Sequence, residues 1–462
     1  MGTFELQPTQ ENIVAMLKED LLKRNDDVFQ FVNYLNEIEG SYSIAVDGGW
    51  GSGKTFFVKQ TKLVLEASNP FFCGVDSDDY ESVNQVISDY KKTSGRPMDL
   101  QPQITVYYDA WANDNEKDPV LSTIYEVFKS VGSDFKFKGD TKFLKNAATI
   151  AEFFTDKKVS KLLELAEKED PFSETKKEKS LQKQISEFLE SLLAENGDRL
   201  VIFIDELDRC NPSYAVRLLE RVKHYFSNDF ITFVFSVNCS ELQHTIKRYY
   251  GENFNGCRYL DRFFDSRVSL SQANLEGYYQ KIGLSNDRYI YETVCKRVIE
   301  VNHMDIREIG RYYHQAKIAA YKITHAPGSS TFTGEIALQF SLCCVLPVML
   351  GLKLTDMSKY EEFVQGKNSA PLIEVLGDGT IAEEICSGLL AYNETYDTPR
   401  EDRVGVNLTN RLSEAYDALF LQKYSARGIY NREIGRAQFT QKTHNDLMKT
   451  ASLLSPFSDY CS

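Results

Sequence analysis

Residues 47–55 read DGGWGSGKT, and Gly48, Gly53, Lys54 and Thr55 fall at the spacing G-x-x-x-x-G-K-T. That spacing suits the cradling of phosphate groups. Such a loop must turn successive backbone N–H groups inward, which needs residues that tolerate positive φ. Gly48, Gly49, Gly51 and Gly53 supply that freedom, with Trp50 and Ser52 between them and Phe56 just beyond. A helix starting here adds unpaired N–H groups and the positive end of its dipole. Lys54 is then expected to reach the β- and γ-phosphates, and the Thr55 hydroxyl to ligate magnesium.

A second group lies in RLVIFIDELDR, 199–209. Five apolar residues deliver Asp205 to the end of a strand, where ligands bind in open α/β sheets. Asp205 suits an acid that orients magnesium through its water shell. Glu206 suits the base that polarises an attacking water. A third segment, FVFSVN, ends at Asn238. Its amide is a candidate to hold the lytic water, the alternative being an ordinary strand-end turn residue.

These residues need a scaffold. A helix is expected over 11–39, stopped by Gly40, then a strand at 42–46 and a helix after Thr55. A polar stretch follows at 74–102, then a buried strand in ITVYYDAW, 104–111. Residues 140–197 read as a charged helical insertion, in which Leu181, Ile185, Phe188, Leu189 and Leu192 share one face. Strands follow at 199–205 and 229–238, with a helix near 213–227 between them, and SRVSLS, 266–271, reads as the last. Nearly continuous apolar strands alternating with helices indicate an α/β fold, a parallel sheet covered by helices. The expected organisation is a core over 1–271, a helical lid-like region over 272–323, a linker at 324–335 and a mostly helical domain over 336–462.

Composition narrows the function classes. The 462 residues carry a formal net charge of −14, which argues against broad nucleic-acid affinity. Nine cysteines without C-x-x-C spacing point to reduced thiols and a cytoplasmic protein. No signal-peptide pattern is read at the N-terminus. The segment 336–354 is the one membrane candidate, interrupted by Gln339, Ser341 and Pro347, and a buried helix is the favoured reading.

Four segments together resemble the KAP family of P-loop NTPases, related to the AAA+ and STAND ATPases. They are DGGWGSGKT, YYDAWANDNEKDPVLSTIYEVF, IFIDELDRCNP and YLDRFFDSRVSL, with LKEDLLKR similar to the family's leading helix. The resemblance spans about residues 18–315. It implies ATP with magnesium, with phosphate on the loop, metal on Thr55 and Asp205, and Glu206 as base. Asp208 and Arg209 match the family's extra acidic–basic pair. Arg307 and Arg311, one helical turn apart, look like the arginine-bearing helix of related ATPases that reaches the γ-phosphate. Arg262 is a further candidate, acting on a neighbouring subunit. Many family members carry membrane helices between the two acidic and glycine-rich segments, whereas 140–197 is charged here.

Three functions are then in view. One is an ATP-driven switch or assembly, a homo-oligomer or one working with a co-encoded partner. Prokaryotic relatives are often linked to defence against bacteriophage, and the resemblance extends to that role. The second is a nucleic-acid-stimulated motor or loader, and the third a nucleotide-binding scaffold with little turnover. A small-molecule phosphotransferase lacks a recognisable acceptor pocket. No guanine-reading N-K-x-D is present, which favours ATP over GTP.

Overall fold

The computed structural model describes residues 7–72, 77–95, 98–116, 118–134, 183, 185–190, 192–194, 196–225, 229–270, 273–284, 289–325, 335–377, 381, 390, 400–421 and 431–454. Two compact units divide the chain, Pro8–Leu275 and a second that joins Gln7 to the described residues from Glu276 onward.

The first unit is built on five strands: β1 (Tyr42–Asp47), β2 (Gln103–Asp109), β3 (Arg199–Asp205), β4 (Ile231–Val237) and β5 (Ser266–Ser269). All pairs are parallel and the order is β2-β3-β4-β1-β5. Apolar side chains alternate between the two faces. Leu200, Ile202 and Ile204 join one core with Ile104, Val106, Phe233 and Phe235. Val201 and Phe203 join the other with Ile44, Val46 and Val234. Helices α1 (Gln10–Glu19), α2 (Asn25–Asn36), α3 (Lys54–Ser68) and α4 (Ser77–Ser94) contribute to the second core, whereas α5 (Pro119–Asp134), α6 (Pro212–Tyr225) and α7 (Cys239–Tyr250) contribute to the first. A short helix α8 (Gly256–Leu260) precedes β5. A sheet buried on both faces explains why its central strands read as unbroken apolar runs.

The structure corrects two expectations for this unit. The helix expected over 11–39 is two helices, because Asp20 and Lys23 adopt left-handed φ of 46° and 51°. The Asp20 carboxylate accepts from Asn25 N–H at 3.1 Å, and Asn25 Nδ2 donates to the Leu17 carbonyl at 2.6 Å, closing a turn that buries Leu21 and Leu22. The polar stretch 74–102 contains α4, which buries only Val83 and Ile87 from its own length. Most of the insertion expected over 140–197 lies outside the described residues. Ile185, Phe188, Leu189 and Leu192 sit in the core together, and Leu181 lies outside the described residues.

The second unit comprises α9 (Glu276–Ile282), α10 (Ile290–Val301), α11 (Ile306–Thr324), α12 (Ile336–Phe340), α13 (Leu346–Thr355), α14 (Met357–Val364), α15 (Ala370–Leu376), α16 (Arg400–Phe420), a hairpin of β6 (Asn431–Ile434) and β7 (Ala437–Thr440), and α17 (Gln441–Ala451). Where the sequence suggests a division near 324–335, the described helices on either side form one unit. Tyr312 on α11 donates to the Pro347 carbonyl at 3.2 Å, and Gly351 on α13 lies so close to α10 that a Cβ would meet Val298 at 2.4 Å. The hairpin was not legible beforehand; it turns at Gly435, φ 59°. Ile336–Thr355 is long and apolar enough to cross a membrane, but most of it is buried within its own unit, with a π-helical turn at Ser341–Val345 joining α12 to α13.

Asn69 caps α3 at the end away from the glycine loop. Its Nδ2 donates to the carbonyls of Gln103 and Asn196 at 2.9 and 3.1 Å, and its Oδ1 accepts from Phe71 N–H. Replacing Asn69 by Ala leaves buried carbonyls without that donor. Urea unfolding should show a loss of about 1–3 kcal/mol with an unchanged m-value.

Candidate functional site

The site forms where the parallel strands end. Asp47 is in register with Val237, and Asp109, Asp205 and Ser236 are in register with one another. The carboxyl tips of β1, β4, β3 and β2 therefore share one edge. The β4 strand stands between β1 and β3, as needed for Asn238 to lie beside the glycine loop. Two strand spacings separate β1 from β3, roughly 10 Å. The loop after β1 and the acid ending β3 thus lie on one sheet edge, with the tip of β4 between them.

The loop follows β1 directly. Gly48 N–H donates to the Val237 carbonyl at 3.3 Å, and Gly51 and Gly53 take φ of 72° and 89°. At Gly48 a Cβ would lie 2.7 Å from Ser52 Oγ and 3.5 Å from Lys54 Cγ, so an added methyl must displace the Ser52 hydroxyl. Ser52 Oγ itself is buried without a partner among the described residues. Gly53 caps α3 without a side chain, so no side-chain oxygen accepts from its first N–H groups. Those donors, the dipole and the unpartnered hydroxyl suit an anion. Thr55 and Phe56 are both half-buried in the first turn of α3. Lys54 is only 9% exposed, and its ammonium donates to the carbonyls of Gly48 and Gly49 at 2.6 and 2.9 Å. Burial pulls its pKa down, while the charges of Asp208, Asp205, Glu206 and Asp47 pull it up. The charges of all four carboxylates therefore bear on this one cation.

Asp205 is buried and accepts from the Tyr107 hydroxyl at 2.8 Å and from Glu206 N–H at 2.9 Å. Burial, with Asp205 next in weight, raises the pKa of the Tyr107 phenol, so it stays a donor. Glu206 takes a left-handed φ of 61° and opens the short 3-10 turn Leu207–Arg209. Burial raises its pKa, and Asp205 raises it further, against the Arg209 guanidinium that pairs with it. The Asn238 side-chain oxygen Oδ1 caps α7, accepting from Ser240 and Glu241 N–H at 3.1 and 3.3 Å. Its NH2 group is what remains to meet a water. No cluster of three or more metal-binding side chains occurs among the described residues. The pair expected from the sequence to hold magnesium, the Thr55 hydroxyl and the Asp205 carboxylate, is chemically suited to a cation that keeps much of its water and takes further oxygens from phosphates.

Several contacts at the site carried no signal in the sequence. Arg24 holds the loop from outside, its guanidinium donating to the Ser52 carbonyl at 2.6 Å. Trp50 Nε1 donates to Asp208 at 2.6 Å, which joins the glycine loop directly to the acidic turn. Arg209 lies 5.5 Å over the Trp111 ring. The segments LKEDLLKR and YYDAW contained Arg24, Tyr107 and Trp111, but nothing in their spacing marked these contacts. Arg262 is exposed in the first unit. Arg307 and Arg311 are exposed on α11 of the second unit, behind a capping box of Asp305 and Glu308.

A family model described as the KAP family P-loop domain matches residues 28–316. The chain is 48% identical over 65 residues to the uncharacterized protein MJ0182 of Methanocaldococcus jannaschii, a match covering 13% of this chain and 33% of that relative. It thus spans about a third of the length of the curated relative it matches. A solved structure of the Aeropyrum pernix ORC1 protein in complex with DNA covers 93% of this chain and 92% of its own, at 10% identity and a TM-score of 0.27. That overlap is too low to bear on fold or function.

Gly48→Ala places a methyl group against Ser52 Oγ and the Lys54 stem. Calorimetric titration should show ATP affinity falling at least about tenfold, roughly 1.4 kcal/mol, with little change in thermal unfolding.

Proposed function

The chain belongs to the KAP family of P-loop NTPases, and from that nucleotide-binding membership we propose that it hydrolyses ATP with magnesium and uses the turnover as a conformational switch. The observation that supports this most is the buried Lys54 ammonium, set in a glycine loop and faced by Asp47, Asp205, Glu206 and Asp208.

In this reading Lys54 exchanges the Gly48 and Gly49 carbonyls for β- and γ-phosphate oxygens, and the open N–H groups of α3 take up negative charge. Thr55 and Asp205 would hold magnesium, which supplies charge neutralisation between the phosphates. Glu206 takes a proton from water as the water oxygen bonds to the γ-phosphorus. The bond to the bridging oxygen breaks, leaving ADP and inorganic phosphate, and the proton passes to solvent. The Asn238 NH2 group orients the water, and its cap with α7 fixes its rotamer. Arg307 and Arg311 resemble the arginine-bearing helix of related ATPases, and 272–323 the lid-like region that carries it; both roles rest on the family resemblance. Arg262 would add positive charge at the γ-phosphate of a neighbouring copy in a homo-oligomer. A role in defence against bacteriophage rests on the family resemblance alone.

Glu206→Gln should lower turnover at least about 100-fold, roughly 2.7 kcal/mol, while ATP still binds. Unchanged turnover removes the assignment of the base. Because burial lifts the Glu206 pKa above the ordinary 4.5, the carboxylate protonates early as pH falls. The acid limb of the kcat profile should therefore lie above that value, and it should vanish in Glu206→Gln.

A further inference from the structure

The turn Leu207–Arg209 is held at both ends by groups that the proposed chemistry does not consume. At one end Trp50 Nε1 donates to Asp208 Oδ2 at 2.6 Å. The Trp50 ring is 49% exposed, whereas Asp208 is 8% exposed. A hydrogen bond from a surface indole to a buried carboxylate therefore locates this ring more than burial does. Thr245 adds a donor to the Asp208 carbonyl at 3.4 Å. At the other end the Arg209 guanidinium pairs with Glu206 and lies over Trp111. Glu206 itself sits at positive φ, a conformation that persists in a non-glycine residue only when its surroundings enforce it.

We propose that Trp50 is a positioning residue for Glu206: its indole N–H fixes Asp208, Asp208 fixes the 207–209 turn, and the turn presents Glu206 through Arg209. The inference rests on the reading of Glu206 as the base. Trp50 is flanked by Gly49, whose carbonyl now accepts from Lys54, and by Gly51 at positive φ. Phosphate that draws Lys54 off that carbonyl acts on the segment carrying the indole. The loop and the base are thereby linked through this one hydrogen bond. An Arg209–Glu206 pair alone would give no such link, since neither residue belongs to the glycine loop.

The test compares ATP hydrolysis and ATP binding, with magnesium, in the full chain carrying Trp50→Phe, Asp208→Ala or both. Trp50→Phe keeps an aromatic ring and loses only the N–H. It should lower kcat at least about tenfold and leave the Kd for ATP within about threefold. The double variant should be no slower than Asp208→Ala, because the partner is already gone. If Asp208→Ala does not fold, Asp208→Asn keeps an accepting oxygen and should remain sensitive to Trp50→Phe. The chain has two tryptophans, Trp50 and Trp111, so in Trp111→Phe the emission comes from Trp50 alone. Losing the Asp208 carboxylate should shift that emission before any nucleotide is added. A Kd that rises in parallel with the loss of kcat, effects that multiply in the double variant, or a wild-type kcat in Trp50→Phe would each overturn the proposal. Undiminished turnover in Glu206→Gln would instead overturn the base on which it rests, so the two failures are told apart.

Discussion

The structure turns on one buried cation. A lysine that is 9% exposed is costly unless oxygens surround its ammonium. Here two loop carbonyls accept from Lys54, and four carboxylates supply the compensating field. Every one of those oxygens is delivered by the carboxyl end of a strand or by the residues just after one. Asp47 closes β1, Asp205 closes β3, and Glu206 and Asp208 follow it. The parallel register, with β4 between β1 and β3, is therefore what brings the acids at the end of β3 to bear on the cation. Slipping β3 by one residue would turn Asp205 to the opposite face and bring an apolar side chain in its place.

Around that condition the local strains become intelligible. Gly51 and Gly53 bend the loop where a side chain would be penalised, and Gly48 makes room for Ser52 and Lys54. Glu206 is different, since it bears a side chain at positive φ. The cost is met by anchors on both sides: Asp205 accepts from its N–H, Arg209 pairs with its carboxylate, and Arg209 rests over Trp111. A sheet edge with a fixed cation and an acid held under strain is suited to meeting a triphosphate and its metal.

The site was legible because its pattern is local and chemically narrow. Glycines at fixed offsets, Lys54-Thr55 and an apolar run ending in Asp205-Glu206 each occur within one short segment. The strands were legible because both faces of the sheet are buried, so Leu200–Ile204 is apolar throughout. Other features lacked a local signal. The break between α1 and α2 depends on two non-glycine residues at positive φ, Asp20 and Lys23, which composition does not announce. The helix α4 is mostly polar because it buries one narrow stripe. The bonds from Trp50 to Asp208 and from Arg24 to Ser52 join residues 158 and 28 positions apart, and no periodicity encodes such pairs.

The central claim is that Lys54 and Asp205 serve one metal–triphosphate, and its most direct measurement is the magnesium dependence of ATP binding in the whole chain and in Asp205→Asn. Titration calorimetry should show tighter ATP binding with magnesium in the unsubstituted protein, and that gain should be lost when Asp205 becomes Asn while binding of metal-free ATP persists. Equal enhancement by magnesium in both proteins, or no uptake of ATP by either, would contradict it.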